Sequence, residues 1–170
     1  MGECDEGTVD TVAYLPEKIV SGGQTGADRA ALDFAIAAGI PHGGFCPKGR
    51  KAEDGRIPDR YQMTETESPN YPPRTDMNVA QSDATAIFTY GPVEEESGCA
   101  LTLKCCRRRE KPHMVCDLKV APFEHVAIML RGLVKGSNVK VLNVAGSRES
   151  KCPGIHDRVQ RVLELAFYQG

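Results

Sequence analysis

The 170-residue sequence lacks several features that mark specialised classes of proteins. It has no tryptophan, and no apolar run approaches the ~20 residues that a membrane-spanning helix needs. Its formal net charge is only -2, which offers no general attraction for nucleic acids or acidic membranes. The first residues of the chain are acidic and polar, unlike a secretory signal. We therefore expect a cytoplasmic protein that binds neither nucleic acid nor a membrane.

Motifs for catalysis and metal binding are also missing. The 7 cysteines include no CxxC pair, and the adjacent Cys105 and Cys106 suit neither a zinc site nor an easy disulfide. We therefore expect reduced thiols in a cytosolic protein. The sequence has no HExxH motif, no nucleophile elbow and no set of residues in the order of a catalytic triad. From these absences we predict neither a metal site nor a catalytic residue.

What the sequence does contain is an alternation of short β-branched runs with helical patterns, which predicts a parallel sheet covered by helices. Strands are expected at residues 18–20, 44–46, 84–90, 113–117 and 139–144. Helices are expected at residues 25–38, 72–81, 98–109, 122–134 and from about residue 153 onward. Because parallel strands need crossover connections, this order predicts a three-layer α/β sandwich with a mainly parallel, doubly wound sheet.

No shift in composition marks a linker within the chain. We expect a flexible segment over residues 1–17 and a single ligand-binding domain over residues 18–168. At the start of the first helix, Thr25 and Asp28 have the spacing of a capping box, and Gly39 is suited to its end.

The first strand is followed by a glycine-rich loop, residues 21–29, that could bind an anion. Open parallel sheets bind ligands beyond the carboxyl ends of their strands. Glycines let backbone N–H groups approach an anion closely, and the start of a helix adds partial positive charge. The loop matches neither the GxGxxG pattern nor a Walker loop. The same residues could instead form a tight strand-to-helix turn that binds no ligand.

A second loop, residues 47–55, is rich in charge. Lys48, Arg50 and Lys51 could pair with phosphates, while Glu53 or Asp54 could accept from a hydroxyl or amide of the ligand. An exposed charged loop without a ligand explains the same residues.

Two further loops follow predicted strands. In residues 145–150 a small-residue turn precedes Arg148, which suits an anion if Glu149 orients the guanidinium, although an ordinary loop with a salt bridge is the alternative. Residues 97–102 form a weaker candidate for an anion-binding loop, at the start of another helix. We expect the amides that open the Thr25 helix to converge with Arg148 on one anion.

Four ordered motifs cover nearly the whole chain, from about Lys18 to Ala166. They are SGGQTGADRAALDFA, FCPKGRKAEDGRIPDRY, the RT…NV..SDATAIF stretch and LNVAGSRES..PGI. Together they resemble the putative molybdenum carrier family, which is similar to a wider superfamily with DNA-processing protein A and the lonely-guy phosphoribohydrolases. The resemblance implies a Rossmann-like fold, homo-oligomers, and binding of the molybdenum cofactor (molybdopterin) or a similar pterin phosphate.

By matching motifs, the resemblance also implies a set of ligand-binding residues in the four loops. They are Gly22, Gly23, Gln24, Thr25, Gly26, Lys48, Arg50, Gly98, Thr102, Gly146, Arg148 and Glu149. The chain departs from the family pattern at Cys99 and Ala100, where a glycine and a small residue are usual, and at Ser147, where proline is expected.

Two functions have sequence features in their favour, and a third class, a purely structural or partner-binding protein, has none. One is a binding or carrier protein for a small phosphate-bearing, nucleotide-like ligand, and the other is an N-glycosidic phosphoribohydrolase or a sensor of such a ligand. The hydrolases carry a PGGxGTxxE motif, whereas the matching stretch from Glu96 to Thr102 has no carboxylate in the following helix turn. The sequence therefore favours binding over catalysis.

Overall fold

Five parallel strands form the central sheet of the protein in a computed structural model that describes residues 15–167. In chain order the strands are β1 (Lys18–Val20), β2 (His42–Gly43), β3 (Phe45–Cys46), β4 (Lys51–Ala52), β5 (Gly55–Arg56), β6 (Thr64–Glu65), β7 (Ala84–Thr89), β8 (His113–Asp117) and β9 (Val141–Gly146). The helices are α1 (Ala27–Ala38), α2 (Tyr71–Gln81), α3 (Gly98–Arg108), α4 (Phe123–Gly136) and α5 (Ile155–Phe167).

The order of strands in the central sheet is β2-β1-β9-β7-β8, and every neighbouring pair is parallel. The last strand, β9, lies between β1 and β7, so the chain winds outward in both directions from the middle of the sheet. The loops that follow β1, β7 and β9 consequently leave the same edge side by side. The predicted three-layer, doubly wound α/β fold is confirmed.

The two helical layers differ in chemistry. Along β9, Leu142 and Val144 pack in the main hydrophobic core with α1, α4 and α5. Successive side chains of a strand point to opposite faces, so Asn143 lies on the face that α2 and α3 cover. On that side the apolar cluster is small and consists of Val79, Cys105 and Cys106, with Leu101 packed against it. One face of the sheet is therefore covered by a large apolar core, whereas the other face carries a small apolar cluster and polar side chains such as Asn143.

Most of the predicted elements lie within two residues of the observed ones, and two local expectations were wrong. The strand expected at 44–46 is divided, because β2 joins the central sheet whereas β3 pairs with β6. The capping box is absent. Gly26 is the N-cap of α1 and makes no side-chain capping bond, while the Asp28 carboxylate turns back to the Gln24 N–H. Gly39 ends α1 in the left-handed conformation, as expected (φ 68°).

The expected flexible segment of residues 1–17 lies, as far as residue 14, outside the described residues. Between residues 15 and 167, no helix is long and apolar enough to cross a membrane.

The division of the second strand depends on Gly44. Its φ of +129° is unfavourable for any other residue, and a Cβ there would lie 2.0 Å from the Ser21 carbonyl oxygen. We expect Gly44→Ala to lower the free energy of unfolding by ~2–4 kcal/mol, measured by urea denaturation.

The matched control is Gly132→Ala in α4, where nothing lies within 4 Å of the added Cβ. Because alanine is favoured over glycine inside a helix, this variant should be neutral or gain ~0.5–1 kcal/mol. Equal stability of the two variants would contradict the packing argument.

Candidate functional site

A cavity lies at the carboxyl edge of the central sheet, on the side of α2 and α3. Its walls come from the ends of β7 and β9, the loops that follow β1, β7 and β9, and the facing residues of the two helices. This is the position where doubly wound sheets hold their ligands. The cavity therefore uses the polar layer of the sandwich and leaves the main core intact.

A buried ion pair forms the cavity floor. Asp28 Oδ2 lies 3.3 Å from Arg74 Nη1 and accepts a 3.2 Å hydrogen bond from the Gln24 backbone N–H. Burial raises the pKa of Asp28, while Arg74 acts in the opposite direction. A Cβ at Gly22 would lie 1.5 Å from Arg74 Nη1, so the guanidinium reaches Asp28 only because this position is glycine. Gly22 thus makes room for a protein side chain from α2.

The backbone amides that open α1 are largely taken by protein atoms. The Thr25 N–H donates to Gln24 Oε1 at 3.1 Å, and the Ala27 N–H donates to the Ser147 carbonyl at 3.1 Å. The Gly23 N–H donates to Ser21 Oγ at 3.3 Å. The expectation that these amides and Arg148 share one anion was wrong, because the loop uses them to bind its own neighbours.

Three buried polar atoms have no hydrogen-bond partner within the described part of the chain. They are Gln24 Nε2, Arg74 Nε and Asn143 Oδ1. All three residues line the cavity, and their exposed fractions are only 6%, 8% and 2%. A buried donor or acceptor without a partner is costly and therefore uncommon. All three belong to residues of one cavity lining, which makes this cavity the candidate ligand site.

The upper wall of the cavity is the first turn of α3. Ser97 Oγ accepts from the Ala100 N–H at 3.1 Å and caps the helix, and Ser97, Gly98 and Cys99 line the cavity. The start of a helix carries partial positive charge. Arg148 and Lys151, on the loop that follows β9, also line the cavity, as does the exposed Glu94 in the loop before α3.

Arg148 is oriented by Glu53. Their charged atoms lie 3.8 Å apart, and the Arg148 guanidinium also stands 5.6 Å from the centre of the Tyr71 ring. The Glu53 carboxylate accepts hydrogen bonds from the Thr25 hydroxyl and from both the N–H (3.2 Å) and the hydroxyl (2.6 Å) of Ser150. One side chain therefore joins the β4–β5 hairpin to the loops that follow β1 and β9.

The expected pairing of Glu149 with Arg148 was wrong. The Glu149 carboxylate accepts from the backbone N–H groups of Gly154 (2.5 Å) and His156 (3.1 Å), so it caps the start of α5. Although Glu149 is adjacent in sequence, its side chain serves the helix that follows.

The sequence-predicted residues divide into two groups in the structure. Those that line the cavity are Gly22, Gln24, Gly98, Thr102, Gly146 and Arg148. Those that do not line it are Gly23, Thr25, Gly26, Lys48, Arg50 and Glu149.

In the second group, Arg50 is buried and donates to the carbonyls of Ile57, Pro58 and Tyr61 at 2.7–3.0 Å. Lys48 is exposed on the same loop. The loop of residues 47–55 thus contributes Glu53 to the site by positioning Arg148. Its Lys51 does not line the cavity but stands 5.1 Å from the centre of the Tyr71 ring that Arg148 also contacts.

Sequence reasoning missed Arg74, Asn78, Asn143 and Lys151, which line the cavity. Asn143 carried a visible signal, because a polar side chain interrupts an otherwise apolar strand. Arg74 and Asn78 belong to a helix whose face toward the sheet could not be identified until the strand order was known.

Two cysteines lie in the cavity lining. Cys99 and Cys152 line the cavity, and burial raises the pKa of the Cys99 thiol to about 11. Among residues 15–167, no group of three or more His, Cys, Asp or Glu side chains is placed to hold a metal ion.

Comparisons with known proteins found one matching family and one similar crystal structure. Residues 19–167 match the model of the circularly permutated YpsA SLOG family. The crystal structure of a protein named "Putative molybdenum carrier protein", from Syntrophus aciditrophicus SB, is 43% identical in sequence and has a TM-score of 0.86. The alignment covers 89% of this chain and 94% of that chain. No curated protein matches the chain.

The Glu53 contacts predict a pH dependence of stability. Burial acts to raise the pKa of Glu53, but hydrogen bonds from Ser150 and Thr25 and the charge of Arg148 outweigh it and hold the pKa below the ordinary value of 4.5. A carboxylate with a lowered pKa stabilises the fold above its ordinary pKa and loses that effect as the pH falls through the folded value.

We therefore expect wild type to be more stable than Glu53→Gln at neutral pH, and this difference to shrink below about pH 4.5. Urea denaturation of both proteins between about pH 7 and about pH 3 measures it. Glu164→Gln in α5 is the control, because the half-buried Glu164 makes only a 3.6 Å ion pair with the solvent-exposed Arg161. A wild-type advantage that stays constant down to the lowest pH would contradict the assignment.

Proposed function

The chain belongs to the circularly permutated YpsA SLOG family, and we propose that it is a binding or carrier protein for a phosphate-bearing, nucleotide-like ligand. The family supports a ligand of nucleotide type, and the cavity at the sheet edge is the site that we assign to it. The observation that carries the proposal is that the three residues with buried, unpartnered polar atoms all line this one cavity.

The charges around the cavity support a definite orientation for this ligand. The start of α3, Arg148 and Lys151 line the cavity together with the exposed Glu94, and a phosphate beside the two basic residues would gain charge-assisted hydrogen bonds. The unpartnered atoms of Gln24, Arg74 and Asn143 lie in the buried floor, where a heterocycle would replace missing partners. We assign the phosphate to the α3 end and the heterocycle to the floor.

The finer proposal is that the ligand is the molybdenum cofactor, as the name of the Syntrophus protein suggests. Molybdopterin combines a phosphate with a pterin ring rich in N–H and C=O groups, and these fit the two ends of the cavity. The cofactor holds molybdenum through its own sulfur atoms. Arg148 and Lys151 would therefore bind the phosphate, and Gln24, Arg74 and Asn143 would bind the pterin.

The competing function is N-glycosidic hydrolysis, which needs a carboxylate at the sugar. Asp28 and Glu94 are the carboxylates of the cavity lining. Asp28 already accepts from Arg74 and from the Gln24 N–H, which occupies it as a structural group. Glu94 is exposed in the loop before α3, and we assign it no catalytic role. The commitment of Asp28 is what favours binding over hydrolysis.

The resemblance to molybdenum carriers also leads us to propose homo-oligomers. Exposed apolar side chains of α4 and the preceding turn give such an assembly a surface, with Val120, Ile128 and Met129 exposed by 76%, 60% and 48%. The mass in solution measured by light scattering tests this assignment.

Ligand binding should raise the stability of the fold. A phosphate compound in large excess over its Kd should add ~2–4 kcal/mol, measured as a shift in thermal unfolding. The probes are molybdopterin, nucleoside monophosphates, inorganic phosphate and molybdate, and we expect no cleavage product from the nucleoside monophosphates. If no phosphate compound shifts the transition, the proposed function is wrong.

Two exposed lysines, one in the cavity lining and one outside it, provide a matched test of where the phosphate binds. Lys151 lines the cavity and Lys48 does not, although both side chains are exposed. Lys151→Gln should weaken binding of the phosphate probe about tenfold at low salt, because it removes a charged donor, while Lys48→Gln should leave it unchanged. Isothermal titration at two salt concentrations measures both. Equal effects of the two substitutions would count against this placement.

A further inference from the structure

The strand β8 is the last strand on one side of the central sheet, and half of its backbone groups point away from the sheet. It pairs in parallel with β7, where Thr85 lies opposite His113 and the Thr85 N–H donates to the Pro112 carbonyl at 3.0 Å. In a parallel pair a residue bonds to the two neighbours of its opposite residue. The N–H and C=O groups of His113, Val115 and Asp117 therefore point outward.

These outward groups form an open edge in the described part of the chain. No residue between 15 and 167 bonds to the backbone N–H or C=O of His113 or Val115. The Asp117 carbonyl accepts from the N–H groups of Val120 (3.3 Å) and Ala121 (3.0 Å) in the turn that leads to α4, while its N–H points outward. An open edge of this kind is a template for pairing with another strand.

The opposite edge of the sheet does not offer the same template. Its strand, β2, has only two residues, and the Gln62 N–H of a neighbouring loop donates to His42 Nε2 at 3.1 Å. The longer β8 contains neither lysine nor proline, the residues that commonly protect an edge. Any strand added to this sheet would therefore join it at β8.

Exposed apolar side chains accompany the β8 edge. Among residues 15–167, four of the eight exposed large apolar side chains lie in β8, α4 and the turn between them, namely Val115, Val120, Ile128 and Met129. Arg131 donates to the Leu165 carbonyl of α5 at 2.8 Å, and two residues turn a helix by about 200°. Met129 consequently lies on the flank of α4 that faces away from α5.

A second copy of β8, running antiparallel, complements the first in one register. With Val115 on a two-fold axis, all five residues of the strand are paired, and His113 lies opposite the partner's Asp117. Val115 exchanges two backbone hydrogen bonds with its copy, and the Asp117 N–H donates to the partner's His113 carbonyl. A shift of two residues shortens the ladder and places Val115 opposite His113 or Asp117.

The side chains at the two ends of this ladder retain atoms for one another. His113 Nδ1 lies 2.8 Å from the Lys111 carbonyl, which leaves Nε2 for the partner. Asp117 Oδ1 accepts from the N–H groups of Gly91 (2.7 Å) and Lys119 (2.9 Å), which leaves Oδ2. A protonated imidazole opposite a carboxylate is a favourable cross-strand pair, and the two-fold axis creates it twice.

We infer that two copies of the chain associate through β8, antiparallel about a two-fold axis at Val115, so that their five-stranded sheets become one sheet of ten strands. This inference rests on the homo-oligomers of the proposed function and gives them a specific interface. The ladder sets the register, and the apolar side chains of Val115 and α4 supply area that a five-residue ladder alone does not bury.

A lysine on the axis tests this interface. In Val115→Lys the two introduced charges would face each other, so the dissociation constant of the oligomer should rise at least about 100-fold, measured by analytical ultracentrifugation over a concentration series. The matched control is Ile36→Lys in α1, outside this surface, and it should leave the constant unchanged. The two positions are comparably exposed, at 39% and 43%, and thermal melts report whether each variant folds.

A cross-link tests the register independently. Residues opposite each other on a two-fold axis have Cα atoms close enough for a disulfide. Val115→Cys, oxidised with copper phenanthroline in air, should therefore give a dimer on a non-reducing gel that a reductant reverses. Wild type and Ile36→Cys should remain uncross-linked at the same protein concentration.

The outcomes separate this interface from the proposed ligand binding. A monomeric wild type would overturn both the interface and the assembly, while the thermal shift with phosphate compounds would still decide ligand binding. An oligomer that Val115→Lys leaves intact, or that Val115→Cys does not cross-link, would overturn the pairing of β8. If no ligand shifts the thermal transition but Val115→Lys separates the subunits, the binding function fails and the interface stands. The cross-link decides the question if Val115→Lys does not fold.

Discussion

The buried ion pair between Asp28 and Arg74 is the interaction on which the rest of the site depends. It joins the first turn of α1 to α2, and it fixes the Gln24 backbone through the same carboxylate. Removing one partner of such a pair typically costs ~3–5 kcal/mol, yet replacing both with apolar residues is often neutral or stabilising. Stability alone therefore does not explain an ion pair here. Its position explains it better, because the pair holds one unpartnered donor on Arg74 and another on Gln24 at the floor of the cavity.

The fold tolerates a polar cavity floor because the two helical layers bury different amounts of apolar surface. The helices α1, α4 and α5 bury the large continuous core against one face of the sheet, whereas α2 and α3 cover the other face with a small apolar cluster. Each unpartnered polar atom costs free energy. The main core lies on the opposite face and packs without these atoms. A deviation from ideal packing that is confined to one cavity is expected at a functional site.

The elements of this fold could be predicted from hydrophobic patterning, but the contacts between the loops could not. Gly22 was interpreted as a glycine that opens backbone amides to an anion, and it instead leaves space for the guanidinium of Arg74. Likewise Arg148 was expected to pair with its neighbour Glu149, whereas the carboxylate that faces it is Glu53, which is distant in sequence and belongs to the β4–β5 hairpin. In both cases the partner comes from a part of the chain whose position depends on the order of strands. Asn143 is the exception, because a polar residue within a buried strand is visible in the sequence alone.

The same features explain how the site could hold a ligand without changing it. A carrier needs donors and acceptors that are already in place, so that little ordering is required when the ligand enters. It also needs the reactive groups nearby to remain inactive. Burial raises the pKa of the Cys99 thiol to about 11, so at neutral pH it is protonated and a poor nucleophile. The Asp28 carboxylate is committed to Arg74 and to a backbone amide, which removes it as a base. Under the proposed function, the ion pair that holds Arg74 and the Gln24 backbone in place therefore also occupies the Asp28 carboxylate.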